Sequence, residues 1–334
     1  MIILLELRNP VNILISSAGR RVELLECFRR AAVELRLDLK VYAVDANPQM
    51  SSACQQADNA WEVPRCTHPD YIPTLFALCK REKIRLVIPT IDTELEILAS
   101  VTDQFKSIGT RILVSNLETI RMARNKAATC CFLDQIGIPT PKTGTVDELL
   151  GEPTEWNWPV ILKPTNGSCS VGLHFAENPR EVENFAIDRT KYIAQEVWQG
   201  KEYTINVFFD SKGVLRCAVP HWRCETRGGE VSKGITQRNP VLMTIAVKLA
   251  DALRGKAFGP ICFQAIVDNS GKAAVFEINA RFGGGYPLAD RAGGTFAKWL
   301  IEEAFGLPSS AHNNWNDGVT MLRYDAAVFF NAPF

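Results

Sequence analysis

The sequence predicts two architectures in one chain, an α/β domain followed by an α+β body. Over the first hundred-odd residues, short apolar strands alternate with amphipathic helices, which is typical of a parallel sheet covered by helices on both faces. From about Asn116, strands of alternating polarity dominate and few helices separate them, as in antiparallel sheets. A length of 334 residues fits about two domains. We therefore place the α/β domain at residues 1–116 and the α+β domain at 117–334.

The elements of the α/β domain follow from the spacing of its apolar residues. Apolar runs of strand length, bounded by turns, predict buried strands, whereas apolar residues three and four apart predict one face of a helix. The predicted strands cover residues 11–16, 39–44, 85–89 and 112–114, and the predicted helices cover 20–35, 71–83 and the segment TIDTELEILA.

The α+β domain begins with a long predicted helix over 117–136, which ends at Gly137. Strands follow at 160–163, 192–197, 203–209, 214–220, 261–267 and 273–280, with helices at about 179–188, 240–254 and 295–305. No internal repeat interrupts this order.

Composition and charge exclude several classes of protein. Apolar residues make up 46% and 37 basic residues balance 37 acidic ones, so a broad basic face for nucleic acid is not expected. No apolar run approaches the roughly 18 residues of a membrane-spanning helix, and the opening MIILLELRNP lacks the features of a signal peptide. Ten cysteines without a C-x-x-C pair fit reduced thiols, and we expect a cytoplasmic protein.

The most informative segment is ICFQAIVDNSGKAAVFEINARFGGG, which predicts a β-hairpin with its loop at 269–272. If Asp268 faces Ala273, then Gln264 lies directly opposite Glu277. Side chains alternate along a strand, so polar and apolar residues separate onto two faces. One face carries Gln264, Glu277, Asn279 and Arg281, and the other carries Phe263, Ala265, Phe276 and Ile278.

Oxygen donors at this spacing suit Mg²⁺ (or Mn²⁺), which takes one or two protein carboxylates together with water and phosphate oxygens. Arg281 would then pair with a phosphate or a carboxylate. The alternative is an ordinary hairpin whose polar residues face water, and a register error of one residue would separate Gln264 from Glu277.

Three further segments could contact a nucleotide. In WPVILKPTNGSCSVG a strand delivers Lys163 to a small flexible loop, although neither of the common glycine-rich phosphate signatures is matched. In YIAQEVWQGKEYTINVFF a strand end could offer backbone groups to adenine, with Glu196 or Glu202 reaching the ribose. In WRCETRGGEVSKG a basic loop could neutralise phosphate through Arg223, Arg227 and Lys233. Each segment taken alone is equally compatible with a solvent-exposed hairpin or loop.

The order of these segments resembles that of ATP-grasp enzymes, most of all one synthetase half of the carbamoyl-phosphate synthase large subunit. The matching motifs are NKAATCCFLDQIGIPTPKT, LKP with its glycine loop, QEVWQGKEYTINV and CFQ…FEINARFGGG, and PTIDTELEIL resembles the family's pre-grasp domain. The resemblance covers nearly the whole chain. It implies a pre-grasp domain with a Rossmann-like parallel sheet, then an ATP-grasp domain with a small lid subdomain at about 130–194.

The resemblance also implies roles for individual residues. It assigns phosphate contacts to Lys126 and Lys163 and to the loop containing Gly167, Ser168, Ser170 and Gly172, adenine and ribose contacts to Glu196, Val197 and Glu202, metal binding to Gln264, Glu277 and Asn279, and the transferred phosphoryl group to Arg281. The basic loop adds Arg227 and Lys233 to the catalytic candidates. Many family members carry glutamate at the position of Gln264, so the number of metal ions stays open.

From these motifs we expect an ATP-dependent carboxylate–amine ligase that forms an acyl phosphate, with ATP and Mg²⁺ as cofactors. Its partners would be a small carboxylate and an amine, with no nucleic acid or membrane, and a homodimer is possible. We expect substrate contacts from Asp92, Glu94, the basic loop and 283–286. Alternatives are a non-catalytic nucleotide-binding regulatory module, or a nicotinamide-dependent enzyme holding a ribose on Asp45, although SSAGRR lacks the glycine fingerprint.

Overall fold

The computed structural model describes residues 11–167 and 171–331 and contains three β-sheets. The first sheet is parallel and has the strand order β3-β2-β1-β4-β5. Its strands are β1 (Val11–Ser16), β2 (Leu39–Asp45), β3 (Asn59–Glu62), β4 (Leu86–Pro89) and β5 (Arg111–Ile112), and its helices are α1 (Val22–Leu35), α2 (Ser52–Gln56), α3 (Tyr71–Arg81), α4 (Asp92–Ser100) and α5 (Thr102–Lys106). The predicted parallel α/β architecture is confirmed.

The strand order reverses between β1 and β4. The chain runs outward from β1 through β2 to β3, and then returns to place β4 on the opposite side of β1. The loops that leave the carboxyl ends of β1 and β4 therefore diverge, and this switch point is where open parallel sheets form a binding crevice.

The helix predicted over 117–136 is wrong as a single element, since the chain forms α6 (Leu117–Arg124) and α7 (Lys126–Gln135). Asn125 separates them in an extended conformation, and its side chain accepts a hydrogen bond from the Ala128 backbone N–H at 3.0 Å. Asparagine is a preferred N-cap, so it ends one helix and begins the next. The break places Lys126 at the first turn of α7.

The second sheet has four antiparallel strands in the order β6-β9-β7-β8. It contains β6 (Thr143–Thr145), β7 (Val160–Pro164), β8 (His174–Ala176) and β9 (Tyr192–Glu196), with α8 (Val146–Gly151) and α9 (Pro179–Asn184). A separate apolar core lies beneath it, including Leu149, Trp156 and Leu162. This sheet occupies the segment predicted as a lid, whose borders stay a prediction.

The third sheet has six strands in the order β14-β13-β10-β11-β12-β15. It contains β10 (Lys201–Phe209), β11 (Leu215–Arg227), β12 (Glu230–Thr236), β13 (Gly259–Val267), β14 (Ala273–Asn279) and β15 (Thr320–Leu322), with α10 (Pro240–Ala252), α11 (Tyr286–Arg291) and α12 (Phe296–Ala304). The segment expected to be a basic loop is instead the β11–β12 hairpin. Gly228 and Gly229 form its turn with φ of 58° and 77°, which only glycine adopts at little cost.

Two apolar cores connect the first sheet to the six-stranded sheet. One contains Leu14 and Phe263, and the other contains Ile15, Phe208 and Trp299. The two predicted domains therefore share buried surface. Among the described residues, no helix has both the length and the apolar character needed to cross a membrane.

Candidate active site

A cleft of about 470 Å³ lies between the four-stranded and six-stranded sheets. Both sheets contribute polar side chains to it, and so does the loop after β1. The predicted site residues that line the cleft are Lys126, Lys163, Gly167, Glu196, Val197, Glu202, Gln264, Glu277, Asn279 and Arg281. Residues distant in sequence thus meet in one cavity, as ligand sites require.

The β13–β14 hairpin pairs Gln264 with Glu277, as the sequence predicts, but the register near the turn is different. Val267, and not Asp268, faces Ala273, and a β-bulge restores the predicted pairing further along. The extra residue is Phe276. Such a bulge reorients the local side chains. Phe276, which was predicted to lie on the apolar face, therefore lines the cleft.

Glu277 faces two lysines in the middle of the cleft. Its carboxylate makes no hydrogen bond or ion pair within the described part of the chain. Lys126 donates to the Gly167 carbonyl at 2.6 Å, and Lys163 donates to Gln195 Oε1 at 2.7 Å. Burial lowers the pKa of both lysines, and the charge of Glu277 acts in the opposite direction. The arrangement suits a polyanion between the lysines and a cation at Glu277.

The two predicted amide ligands differ in how they are held. Asn279 Oδ1 accepts from Arg281 Nη2 at 3.2 Å. With its amide oriented to satisfy both neighbours, Gln264 donates to Glu202 Oε1 and accepts from Arg223 Nη1, each at 3.3 Å. Glu277 is therefore the predicted ligand whose oxygens are free. One carboxylate with nearby amide oxygens fits Mg²⁺, which keeps several waters.

The side chain of Arg281 is held by Asp92, a residue of the first domain at the start of α4. It donates to Asp92 Oδ2 at 2.6 Å and to the Phe282 carbonyl at 3.1 Å, and its side chain and that of Asp92 are 11% and 10% exposed. Burial alone would lower the pKa of Arg281, but the Asp92 carboxylate outweighs it and raises that pKa. Asp92, expected to contact substrate, is thus paired to Arg281.

Glu94, the other acid expected at the substrate, is fully buried and holds two loops together. It accepts hydrogen bonds from Ser17 Oγ at 3.0 Å, Tyr71 Oη at 2.8 Å and the Thr90 N–H at 2.9 Å. These bonds connect the loop after β1 to the loop after β4. Glu94 therefore positions the switch point and does not reach the cleft.

The apolar residues that line the cleft include Ile161, Phe175, Ile266 and Phe276, which we call the apolar slot. Glu196 also lines the cleft, and its carboxylate accepts from the Asn157 backbone N–H at 2.9 Å. The backbone N–H groups of Glu196 and Val197 donate to Lys142 and Pro159 carbonyls. Glu202 lies 3.1 Å from Arg223 Nε.

The predicted phosphate loop is described only in part, because Ser168 and Ser170 lie outside the described residues. Gly167 lines the cleft, whereas Gly172 is not among the lining residues. Gly172 has a φ of 75°, and a Cβ there would lie 3.1 Å from both Pro164 Cγ and Tyr192 Oη. Glycine is therefore needed at 172 for backbone conformation and for space.

The structure does not bring Arg227 and Lys233 to the cleft. Arg227 pairs with Asp325, and Lys233 lies 2.7 Å from Glu225 Oε2, in both cases on the exposed end of the β11–β12 hairpin. Other residues of the hairpin, Thr226, Gly229 and Glu230, do line the cleft. Of the three basic residues of this segment, Arg223 reaches the cleft.

Among the charged and amide side chains that line the cleft, three were not predicted: Arg21, Gln195 and Glu230. Gln195 immediately precedes Glu196, so its side chain projects from the opposite face of the strand. The alternation of side chains along a strand could therefore have identified it. Arg21 follows the first parallel strand, where the switch-point rule places ligands. No local signal identifies Glu230.

His221 lies buried next to the cleft and makes a single side-chain contact. Its Nδ1 is 3.2 Å from Asn206 Nδ2, and its Nε2 has no partner within the described residues. Burial, together with Arg223 and Arg323, lowers the pKa of His221 to about 3. The imidazole is therefore neutral in the folded protein at neutral pH.

We expect this histidine to make the fold acid-sensitive. The unfolded chain takes up the proton below a pKa of about 6.5, whereas the folded chain does not until far lower pH, so stability falls as pH drops through this window. At pH 5 the loss from His221 is about 2 kcal/mol. Urea denaturation at pH 7.5 and at pH 5 measures how much stability each protein loses between the two conditions. The loss should be smaller for His221→Gln than for wild type, by about 2 kcal/mol. Equal losses would contradict the prediction.

Comparison with known proteins gives two matches to family models. The description "PylC-like, N-terminal domain" matches residues 13–113, and "ATP-grasp domain" matches residues 123–285. The chain is 23% identical over 225 residues to the carbamoyl phosphate synthase large chain of Pyrococcus furiosus, covering 61% of this chain and 20% of that protein. It therefore spans about a fifth of the length of this curated relative.

Solved structures show the same fold. The biotin carboxylase domain of the Hydrogenobacter thermophilus 2-oxoglutarate carboxylase, solved as a dimer with MgADP, aligns with a TM-score of 0.71 at 17% identity, over 90% of this chain and 71% of that one. An L-amino acid ligase from Bacillus licheniformis aligns with a TM-score of 0.67 at 18% identity, over 90% of this chain and 75% of that one.

Proposed function

Residues 123–285 match the ATP-grasp domain, and from this premise we propose that the chain joins a carboxylate to an amine at the expense of ATP. The observation that carries the proposal is the carboxylate of Glu277, which has no partner within the described residues and faces the half-buried lysines Lys126 and Lys163. A metal-bound polyphosphate complements this set of charges.

In this proposal ATP lies along the cleft. The apolar slot holds adenine, Glu202 receives the ribose hydroxyls, and Lys126 and Lys163 bind the phosphates as point charges. Each lysine already donates to a protein oxygen at 2.6–2.7 Å, which fixes its direction before the nucleotide binds. Preorganised donors of this kind stabilise charge without reorganisation during the reaction.

Glu277 and Asn279 would hold Mg²⁺, with Gln264 as a third donor if it leaves Arg223. When bound, Mg²⁺ neutralises charge on the phosphate oxygens. The lysines and Arg281 are the protein's own contribution to that neutralisation. Arg281 has a buried Nε without a partner in the described residues, so it keeps a donor for the transferred phosphoryl group.

The proposed reaction has two displacements. An oxygen of the substrate carboxylate attacks the γ-phosphorus, and the bond from that phosphorus to the β-phosphate oxygen breaks, releasing ADP. The amine nitrogen then attacks the acyl carbon, phosphate leaves, and the nitrogen loses a proton. Residues 167–172 would shield the acyl phosphate from water.

The two alternatives have less support. A nicotinamide site would need Asp45 for a ribose, but its carboxylate accepts from the backbone N–H groups of Gly19 at 2.9 Å and Asn47 at 3.1 Å. A regulatory module without catalysis would not need an unpaired carboxylate between two desolvated lysines. We propose small-molecule substrates, and a homodimer stays a prediction.

An acyl-phosphate trap tests this function. We expect the chain with ATP, Mg²⁺ and hydroxylamine to convert a particular acid, found by screening amino acids and small carboxylates, to its hydroxamate. Hydroxylamine accepts the acyl group in place of the natural amine, so the assay does not require that amine to be known. ADP should form in equal amount and only when the acid is present. ADP release that is independent of every acid, with no hydroxamate, would contradict the proposal.

A further inference from the structure

The cleft extends beyond Arg281 to Arg21, which follows β1, and to the glycines 283–285. Arg21 is unusual among the cleft cations because it is mostly buried, with 18% of its side chain exposed, yet its guanidinium donates no hydrogen bond within the described residues. Its one ionic contact is with Glu230 Oε1 at 3.3 Å. The N–H groups of this guanidinium can therefore donate hydrogen bonds to a ligand in the cleft.

Glu230 cannot balance the positive charge around it. Besides Arg21, its carboxylate contacts Arg323 Nη1 at 3.1 Å and Arg20 Nη2 at 3.4 Å. Arg20 is 67% exposed, so water screens its charge. The side chains of Arg21 and Arg323 are 18% and 27% exposed and share one carboxylate, and of these two Arg21 lines the cleft. This end of the cleft therefore carries a surplus positive charge.

Gly284 allows the backbone to pass close to Glu230. A Cβ on Gly284 would lie 2.6 Å from Glu230 Cδ. Arg323 donates to the Gly284 carbonyl and also contacts the Glu230 carboxylate. Glu230 is therefore shared between Arg21 and Arg323.

The position of Arg21 in the fold points to a ligand independently of its charge. It lies in the loop at the carboxyl end of β1, at the switch point of the first sheet, where open parallel sheets bind ligands. Buried Glu94 fixes that loop through Ser17, and Thr90 Oγ1 donates to the Ser17 carbonyl at 2.6 Å. The Arg21 side chain is thus held at the cleft by its own loop.

We propose that Arg21 binds a second carboxylate of the acid substrate, one that does not react. This inference rests on the proposed function. A guanidinium that donates two hydrogen bonds to one carboxylate occupies both of its oxygens. Neither oxygen could then attack phosphorus. The reacting carboxylate belongs beside Arg281, whose charge Asp92 already balances, so the surplus at Arg21 calls for a further anion. The substrate class is a diacid.

Calorimetric titration of the full chain tests this, with Mg²⁺ and a non-hydrolysable ATP analogue filling the phosphate sites. The probes are succinate and glutarate, their monoacid counterparts butyrate and valerate, and 3-phosphonopropionate. We expect at least one diacid to bind ten times more tightly than its monoacid. Arg21→Gln should weaken the diacid at least tenfold and leave the monoacid and the nucleotide within twofold. Arg20→Gln removes the same charge from the neighbouring exposed position and should change diacid affinity less than threefold.

Several results would overturn the inference: no acid binds, monoacids bind as tightly as diacids, the phosphonate alone binds, or Arg21→Gln weakens the nucleotide in place of the diacid. If circular dichroism shows that Arg21→Gln does not fold, Arg21→Lys replaces it in the test. Lysine keeps the charge but cannot donate two hydrogen bonds in parallel, so diacid affinity should fall by less than the tenfold expected for glutamine. These titrations need no turnover. The hydroxamate assay therefore decides the proposed function separately, and either result can stand without the other.

Discussion

Replacement of Glu277 by glutamine is expected to lower the rate of ATP turnover by about 10³-fold or more. The substitution keeps the shape of the side chain and removes its charge. Glu277 is the predicted metal ligand with free oxygens, and the remaining donors Asn279 and Gln264 are neutral amides. Without the carboxylate, the protein would hold Mg²⁺ through neutral groups next to two lysines, which repel it.

The fold should be unaffected, because Glu277 makes no hydrogen bond or ion pair with described residues that the substitution could break. We expect a change in the free energy of unfolding below about 0.5 kcal/mol. Steady-state ADP formation beside urea denaturation measures both quantities. Glu225→Gln is the matched control, since it makes the same chemical change at an exposed position paired with Lys233 outside the cleft. A Glu277 variant as active as this control would remove Glu277 from the site.

Replacement of Arg281 by methionine is expected to destabilise the fold by about 3–5 kcal/mol. The variant would leave Asp92 buried without a partner, and the penalty comes from that uncompensated charge and not from lost packing. The double variant Asp92→Leu with Arg281→Met removes both charges and should recover most of the loss. Urea denaturation of the four proteins gives the coupling energy. If the double variant loses as much unfolding free energy as the two single variants together, the two side chains do not depend on each other.

Arg281→Lys separates the stability of this pair from its role in the reaction. The lysine keeps a charge opposite Asp92, but it loses the planar guanidinium that also contacts Phe282 and Asn279. Single-turnover ADP formation should fall at least tenfold while the dissociation constant of ATP changes much less, since the contact matters most as charge develops. A wild-type rate in this variant would leave Arg281 with a structural role only.

Local sequence patterns predicted most of the secondary structure because burial in this fold is periodic. All six residues of β1 are buried, so its apolar run marks its true bounds. The strands at 143–145 and 174–176, with the sequences TGT and HFA, were missed because neither contains an apolar run. The break at Asn125 was missed because helical spacing continues across it, although the asparagine itself is the signal for a new helix.

The alternation of side chains along each strand was enough to predict the polar face of the β13–β14 hairpin. The predicted register at the turn was one residue off, and the bulge at Phe276 is what pairs Gln264 with Glu277. Alternation along a strand does not reveal an extra residue, so the bulge could not be predicted. The tertiary structure alone decided the partners of Arg281 and Arg21. Asp92 is 189 residues from Arg281. Asp92 reaches Arg281, and Arg21 reaches the cleft, because the first sheet reverses its strand order between β1 and β4. Such contacts depend on how sheets stack, and buried charges can only be assigned partners once the packing that removes water from them is known.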